Sequence, residues 1–189
     1  PAGLSDAKIE NADNVPGYNQ LKDIKGVKGA DARKVDYVNK ELKTSLHLAK
    51  GVDTEFFVAK AQISTAPGAK PETPVIERRK VSETVFGNVF DISGADKVKS
   101  VAQGGSSKDG FAALAIELAD GKDLFMASYQ PGEHKFDGAA SDAQMAFVAS
   151  DKNGKVKALA LVGGTALKTA GGSLKLSAVG GAVVELTDT

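Results

Sequence analysis

The sequence contains no cysteine and no tryptophan, and only 6% of its 189 residues are aromatic. The absence of cysteine excludes a disulfide framework and any metal site built on thiolates. Surfaces that bind sugars usually stack the sugar ring on tryptophan or tyrosine, so this composition disfavours a stand-alone sugar-binding module. With only two histidines, no Ser-His-Asp set can be argued from the sequence.

An excess of one charge and a long apolar run are also lacking. Lys plus Arg and Asp plus Glu both total 24, which disfavours nucleic acid as a partner because that binding needs an excess of cations. No apolar run reaches about 18 residues, so no membrane partner is predicted. The opening Pro1-Ala-Gly-Leu-Ser-Asp6 has neither the basic start nor the apolar stretch of a signal peptide.

The pattern that is present is β-structure, because apolar residues alternate or come in short runs between Gly, Asp and Asn. We predict an all-β antiparallel β-sandwich of about twelve strands over residues 17–189, after an irregular lead-in over 1–16. A seam between two halves is predicted near 93–108, where Gln-Gly-Gly-Ser-Ser occurs. The predicted strands are 18–24, 34–38, 42–49, 54–61, 74–80, 83–92, 98–102, 111–118, 124–129, 145–150, 156–162, 174–176 and 182–186.

Glycines mark the predicted turns. Asp120-Gly121 and Asn153-Gly154 predict two hairpins closed by type I′ turns, which need positive φ angles. Gly163-Gly164-Thr165 and Gly171-Gly172 are interpreted as a corner and a turn rather than phosphate loops, because no helix follows either. The proline-rich segment 64–74 predicts an exposed loop, and both faces of the predicted strand 83–92 are expected to be covered.

The histidines and tyrosines are the first candidates for chemistry. His47 is predicted to lie on the solvent side of a strand and His134 in a surface turn; the alternatives are a general base or a ligand contact. Tyr18, Tyr37 and Tyr129 are predicted to be half-buried strand residues with their hydroxyls at the rim; stacking or acid–base roles are the alternative. None of these residues is predicted to be catalytic.

The densest basic cluster is Glu77-Arg78-Arg79-Lys80. Alternation along a strand places Arg78 and Lys80 on one face and Arg79 on the other. Because arginine binds carboxylate and sulfate in a bidentate fork, we predict that these three cations contact an acidic polysaccharide. The alternative is a salt-bridged strand end or an interface with another domain.

Metals and cofactors are not predicted. The aspartates of the C-terminal half lack the spacing of an EF-hand loop. A structural Ca²⁺ in a loop of the sandwich stays open as an alternative. The aspartates considered are Asp137, Asp142 and Asp151.

From Tyr18 to Ser177, the order of features resembles the C-terminal β-region of heparinase II/III-like polysaccharide lyases. The similarity begins with Leu46-His-Leu48 and Thr54-Glu-Phe-Phe-Val58, followed by a proline-rich loop. The remaining segments that carry it are Pro74-Val-Ile-Glu-Arg-Arg-Lys80, Glu83-Thr-Val-Phe86, Lys135-Phe-Asp-Gly138, Met145-Ala-Phe-Val148, Asp151-Lys-Asn-Gly154 and Leu159-Ala-Leu-Val-Gly-Gly-Thr-Ala-Leu167.

This resemblance implies the non-catalytic part of a bacterial enzyme, periplasmic or secreted, that cleaves uronic-acid polysaccharides by β-elimination. In such lyases the active site lies mainly in an α/α toroid, which is the implied partner domain, and none of the family's catalytic residues maps onto this chain. The expected role is to pack on that catalytic domain and shape the substrate cleft. The alternatives are an independent carbohydrate-binding or adhesion module and an enzyme complete within these residues.

Overall fold

The computed structural model describes residues 3–10, 16–29, 31–61 and 66–186. Within these ranges the chain forms fifteen strands, one 3-10 turn at Tyr18–Gln20 and no α-helix, and the ladders between the strands are antiparallel. The prediction of an all-β antiparallel fold is confirmed. The strands are β1 (Ser5–Asp6), β2 (Leu21–Lys28), β3 (Arg33–Asn39), β4 (Leu42–Leu48), β5 (Thr54–Ala61), β6 (Val75–Arg79), β7 (Asn88–Asp91), β8 (Val98–Ser106), β9 (Phe111–Leu118), β10 (Gly121–Ser128), β11 (His134–Phe136), β12 (Ala139–Ser141), β13 (Met145–Asp151), β14 (Val156–Thr169) and β15 (Gly172–Glu185).

The chain divides into two compact units. The first contains residues 1–30 and 51–82, and the second contains 31–50 and 83–189. The predicted seam near 93–108 does not coincide with these boundaries. It falls inside the second unit, where β8 continues through Gly104 and Gly105 to Ser106 while paired with β9.

The first unit is built on a four-stranded sheet in the order β1-β2-β5-β6. Its central strand β5 buries Phe56 and Phe57, which point to opposite faces because side chains alternate along a strand. β1 lies in the predicted irregular lead-in, and Ser5 pairs with Gly26 of β2. Residues 11–15 of the lead-in and residues 64–65 of the predicted loop lie outside the described ranges.

The second unit contains a three-stranded sheet, β3-β4-β7, and an eight-stranded sheet in the order β11-β12-β14-β13-β10-β9-β8, with β15 paired to β14. The larger sheet buries an apolar core that includes Phe111, Met126, Leu161 and Leu167. A smaller core of Ala49, Val98 and Val101 packs with Val89, Leu114, Ile116 and Leu118.

The two predicted hairpins form, but with turns other than type I′. Neither Asp120 nor Gly121 adopts a positive φ, and in the second hairpin only Gly154 does, with φ +78°. There the Asp151 carboxylate accepts hydrogen bonds from the backbone N–H groups of Asn153 and Lys155. A side chain therefore stabilises this turn, and one left-handed glycine is sufficient.

Gly163-Gly164-Thr165 is not a corner, so that prediction is wrong. β14 runs through it for 14 residues, and the register against β15 shifts on both sides of Gly164. Gly163 has φ +70° within this bulge, a conformation that a β-carbon disfavours. The strand continues because the Asp142 carboxylate accepts hydrogen bonds from Thr165 N and Ala166 N, both at 2.8 Å. The turn predicted at Gly171-Gly172 occupies residues 170–171.

The predicted strand 83–92 is shorter and less covered than expected. Only Asn88–Asp91 joins a sheet, as β7, and the carbonyl of Val85 instead accepts a hydrogen bond from the Gln103 side chain at 2.6 Å. Phe90 is 62% exposed and Ile92 is 81% exposed. The expectation that both faces are covered is therefore wrong.

Candidate functional site

The predicted basic cluster lies at the end of β6, and its three cations separate onto two faces as alternation predicts. The side chain of Arg79 is only 4% exposed, and its Nη2 lies 2.8 Å from the Glu77 carboxylate. A polymer on the surface cannot reach a guanidinium enclosed in this way. The structure thus contradicts the prediction of polymer contact for Arg79 and leaves it for Arg78 and Lys80.

Arg78 and Lys80 belong to a charge network on the other face of the sheet. Arg78 Nε lies 3.5 Å from the Glu55 carboxylate, and Arg78 Nη1 donates to the Glu10 carbonyl at 2.9 Å. Lys80 Nζ lies 2.6 Å from the Glu10 carboxylate, and Lys28 Nζ lies 3.1 Å from that of Glu55. We call these five residues the β6 charge network. The salt-bridged strand end considered from the sequence is thus present.

The carboxylates of this network differ in their exposure. Glu55 is buried, whereas the side chain of Glu10 is 56% exposed and lies beside the equally accessible Lys80. The hydrogen bond from Lys80 lowers the pKa of Glu10, and the same contact raises the pKa of Lys80. A cavity of about 390 Å³ lies between Lys28 and Lys80 with Glu55 in its wall. Glu10, Lys28 and Lys80 are therefore the solvent-accessible members of the network.

His47 lies in a second candidate site, and the prediction that it faces solvent is wrong. The residue is only 5% exposed, and its neighbours Leu46 and Leu48, which point to the opposite face, are also buried. β4 is therefore covered on both faces here. Its Nε2 has no hydrogen-bond partner within the described part of the chain. Burial lowers the pKa of His47, and the charge of Lys34 lowers it further.

An ion cluster on the same sheet face adjoins His47. Asp96 accepts hydrogen bonds from Lys34 Nζ at 2.7 Å and from Lys43 Nζ at 2.8 Å, and these two bonds lower the pKa of Asp96. Asp36 accepts a hydrogen bond of 2.6 Å from the hydroxyl of Ser45, which lowers its pKa, and it lies 3.3 Å from Lys34 Nζ. Both carboxylates are thus held by cations and a hydroxyl group of the same unit.

Asp91 at the end of β7 is a further carboxylate near His47. It accepts hydrogen bonds from the hydroxyl and backbone N–H of Ser93 and from Val98 N, at 2.5, 3.0 and 3.2 Å. These bonds, the Ser93 hydroxyl above all, lower the pKa of Asp91 to about 2. Asp91 therefore ties the end of β7 to the start of β8.

An open cavity of about 330 Å³ is lined by His47 together with three cationic residues, Asp96 and an apolar wall. Alternation along β4 predicts one solvent-facing side for this strand, and therefore does not predict a site at His47. The detectable signal was the apolar run that surrounds His47, which is typical of a strand covered on both faces. The lining residues are Ala32, Arg33, Lys34, His47, Leu48, Asp96, Val98, Lys99, Ser100 and Val101.

His134 lies in β11 rather than in a turn, and it is half-buried. Its ring stacks on Phe111 with centroids 4.7 Å apart and planes inclined by 10°. His134 Nε2 lies 2.8 Å from the hydroxyl oxygen of Ser128 and 3.3 Å from the carbonyl oxygen of Gln130. The ring is therefore used in packing and in local hydrogen bonds.

The tyrosines follow the prediction only in part. Tyr37 lies in β3, and partial burial raises its pKa. Tyr18 lies in the 3-10 turn instead of a strand. Tyr129 follows β10, is exposed, and donates its hydroxyl proton to the carbonyl of Ser107 at 2.7 Å.

Within the residues that the structure describes, no group of three His, Asp or Glu side chains is arranged to hold a metal ion. The described ranges contain no helix long and apolar enough to cross a membrane. No protein-family model matches the chain, and a comparison with curated proteins finds no match.

Proposed function

We propose that the chain is the non-catalytic β-region of a lyase that degrades uronic-acid polysaccharides by β-elimination. It would pack on a catalytic α/α-toroid domain and help to shape the substrate cleft. The order of sequence features and the all-β antiparallel fold support this proposal. The observation that carries its ligand part is the β6 charge network, in which Lys28, Arg78 and Lys80 surround two carboxylates.

The network suggests how such a polymer would bind. A uronate carboxylate would replace the exposed Glu10 beside Lys80 and Lys28, so that one anion substitutes for another without leaving a cation unpaired. The buried Glu55 would stay in place and orient Arg78 and Lys28 from below. Binding of this kind depends on ionic strength, because exposed charges are screened by salt.

A second candidate function is an independent carbohydrate-binding or adhesion module. The exposed ring of Phe90 favours it, since the register of β4 with β7 places Phe90 opposite Leu46, and Leu46 in turn pairs with Val35. Tyr37, two residues along β3 from Val35, shares that face. The two aromatic side chains would provide a platform for a neutral sugar ring.

Calorimetric titration with polyguluronate, polygalacturonate and heparin tests the ligand part, with neutral dextran as the comparison. Arg78→Ala and Lys80→Ala should each weaken polyuronate binding about fivefold. Lys60→Ala is the matched control, because Lys60 forms a similar exposed ion pair with Asp23 at 2.7 Å in the same sheet. Equal binding by all three variants would show that the β6 charge network is not the polymer site.

The same titrations separate the alternatives. Dextran binding that is lost in Phe90→Ala would favour the independent module. Absorbance from unsaturated uronate, after the chain alone is mixed with polyuronates, would show a complete enzyme and would refute the accessory role.

A further inference from the structure

The cavity at His47 is distinct from the β6 charge network and contains an unused hydrogen-bonding group. Its lining residues all belong to the second unit. His47 is more than nine-tenths buried and lines the cavity, yet its Nε2 has no hydrogen-bond partner in the described ranges. A buried polar atom without a partner costs free energy. A ligand that enters the cavity and forms a hydrogen bond with His47 Nε2 would remove this cost.

The charges around the cavity favour an anion. Among the residues that the structure describes, Arg33, Lys34 and Lys99 line it together with one carboxylate, that of Asp96. Asp96 already accepts hydrogen bonds from Lys34 and from Lys43, so it has little remaining capacity to bind a cation. Lys99 Nζ donates one bond to the Asp96 carbonyl at 3.0 Å, which leaves two of its three N–H groups for a ligand.

The remainder of the cavity wall is apolar. Leu48, Val98 and Val101 form it, and all three are buried. A volume of about 330 Å³ lies at the small end of the range for ligand pockets, about 300–1,000 Å³. The site therefore fits a short molecule with one anionic end and one aliphatic end.

We propose that this cavity binds a small aliphatic monocarboxylate. The carboxylate accepts hydrogen bonds from His47 Nε2–H and from Lys99, and the alkyl chain lies against Leu48, Val98 and Val101. Binding gives His47 Nε2 the partner that it lacks among the described residues. The ion cluster of Lys34, Lys43, Asp36 and Asp96 holds one rim of the site in place.

Nuclear magnetic resonance of the histidine rings tests this with butyrate as the probe. The chain has two histidines, so the spectrum contains two sets of ring signals, and a His134→Phe variant assigns them. Butyrate should shift the His47 signals in a saturable way and leave those of His134 in place. Butyramide and propylamine, which have the same propyl chain without the negative charge, should shift neither. Saturation by either compound, or no saturable shift with butyrate, would overturn the proposal.

Two charge-reversal variants, one in β8 and one just before it, test the position of the site without changing the core. Lys99→Glu replaces an exposed cation that lines the cavity and should weaken butyrate binding about tenfold. Lys97→Glu makes the same change in net charge at an exposed residue outside the lining and should leave the affinity within about twofold. Equal affinities for the two variants would show that butyrate binds elsewhere.

Discussion

The two histidines differ in whether the Nε2 atom of the ring has a hydrogen-bond partner among the described residues. His134 stacks on Phe111, and its Nε2 lies within hydrogen-bond distance of Ser128 and Gln130. His47 is more deeply buried, yet its Nε2 lacks a partner in the described structure. His47 lies within an apolar run and His134 between charged residues, and the apolar context contains the histidine whose Nε2 has no partner among the described residues. The comparison shows that a satisfied histidine serves packing, whereas an unsatisfied one beside a cavity is available for a ligand.

The largest expected effect on stability concerns Asp91, which lies near His47 and joins β7 to β8. Asp91→Ala removes an acceptor of three hydrogen bonds and should lower the free energy of unfolding by about 3 kcal/mol. Urea denaturation measures the change. Glu117→Ala, which removes an exposed ion pair with Lys122, is the control and should cost less than about 0.5 kcal/mol. If the two variants lose equal stability, Asp91 does not stabilise this region.

An intermediate effect concerns pH. Because the folded-state pKa of His47 lies below its unfolded value near 6.5, the unfolded chain binds the extra proton first as pH falls. The His47 contribution to stability is complete above that value and decreases as pH falls toward the folded pKa, by at most about 1.4 kcal/mol per pH unit.

His47→Gln should flatten this part of the stability profile, which urea denaturation between pH 7 and pH 5 measures. Lys99→Gln changes the same cavity and retains His47, so its profile should keep the slope of the unmodified chain. A slope in His47→Gln identical to that of the unmodified chain would contradict the origin assigned to it.

The smallest effect concerns His134. Ser128→Ala removes the hydroxyl that contacts His134 Nε2 at 2.8 Å and donates to the carbonyl of Gln130 at 2.8 Å. Because the side chain is only partly buried, we expect a loss of about 1 kcal/mol in thermal or urea unfolding. A loss as large as that of Asp91→Ala would remove the contrast between the two regions, since it would make His134 equally critical.

Strands whose boundaries were predicted correctly have strong local signals. β5 and β9 match the predicted ranges 54–61 and 111–118, because in each case a run of apolar β-formers follows an Asp or Gly residue, Asp53 or Gly110. The pair Gly163-Gly164 predicts a break in the strand, since a glycine pair usually marks a turn, but β14 continues through it. Continuity of this strand depends on the side chain of Asp142, which is more than twenty residues distant in sequence and gave no local signal.

In the candidate sites too, the features that depend on local strand geometry were predicted, and those that depend on distant residues were not. Alternation correctly separated Arg78 and Lys80 from Arg79, because that property depends only on strand geometry. It could not show that Glu10 and Glu55 would neutralise much of the cluster, since these residues come from distant parts of the sequence. It failed at His47 because coverage of β4 on both faces is decided by packing. Local sequence patterns therefore did not predict the contacts between residues that are far apart in the chain.

The interleaving of the two units has a consequence for the order in which the protein can fold during synthesis. β4 pairs with β3, its neighbour in sequence, and also with β7, which begins at Asn88, about 40 residues after β4 ends at Leu48. Residues 51–82, which belong to the other unit, leave the ribosome in between. The three-stranded sheet must wait for this segment and pay the entropy of closing a long loop, whereas the β9–β10 hairpin can close as soon as it emerges.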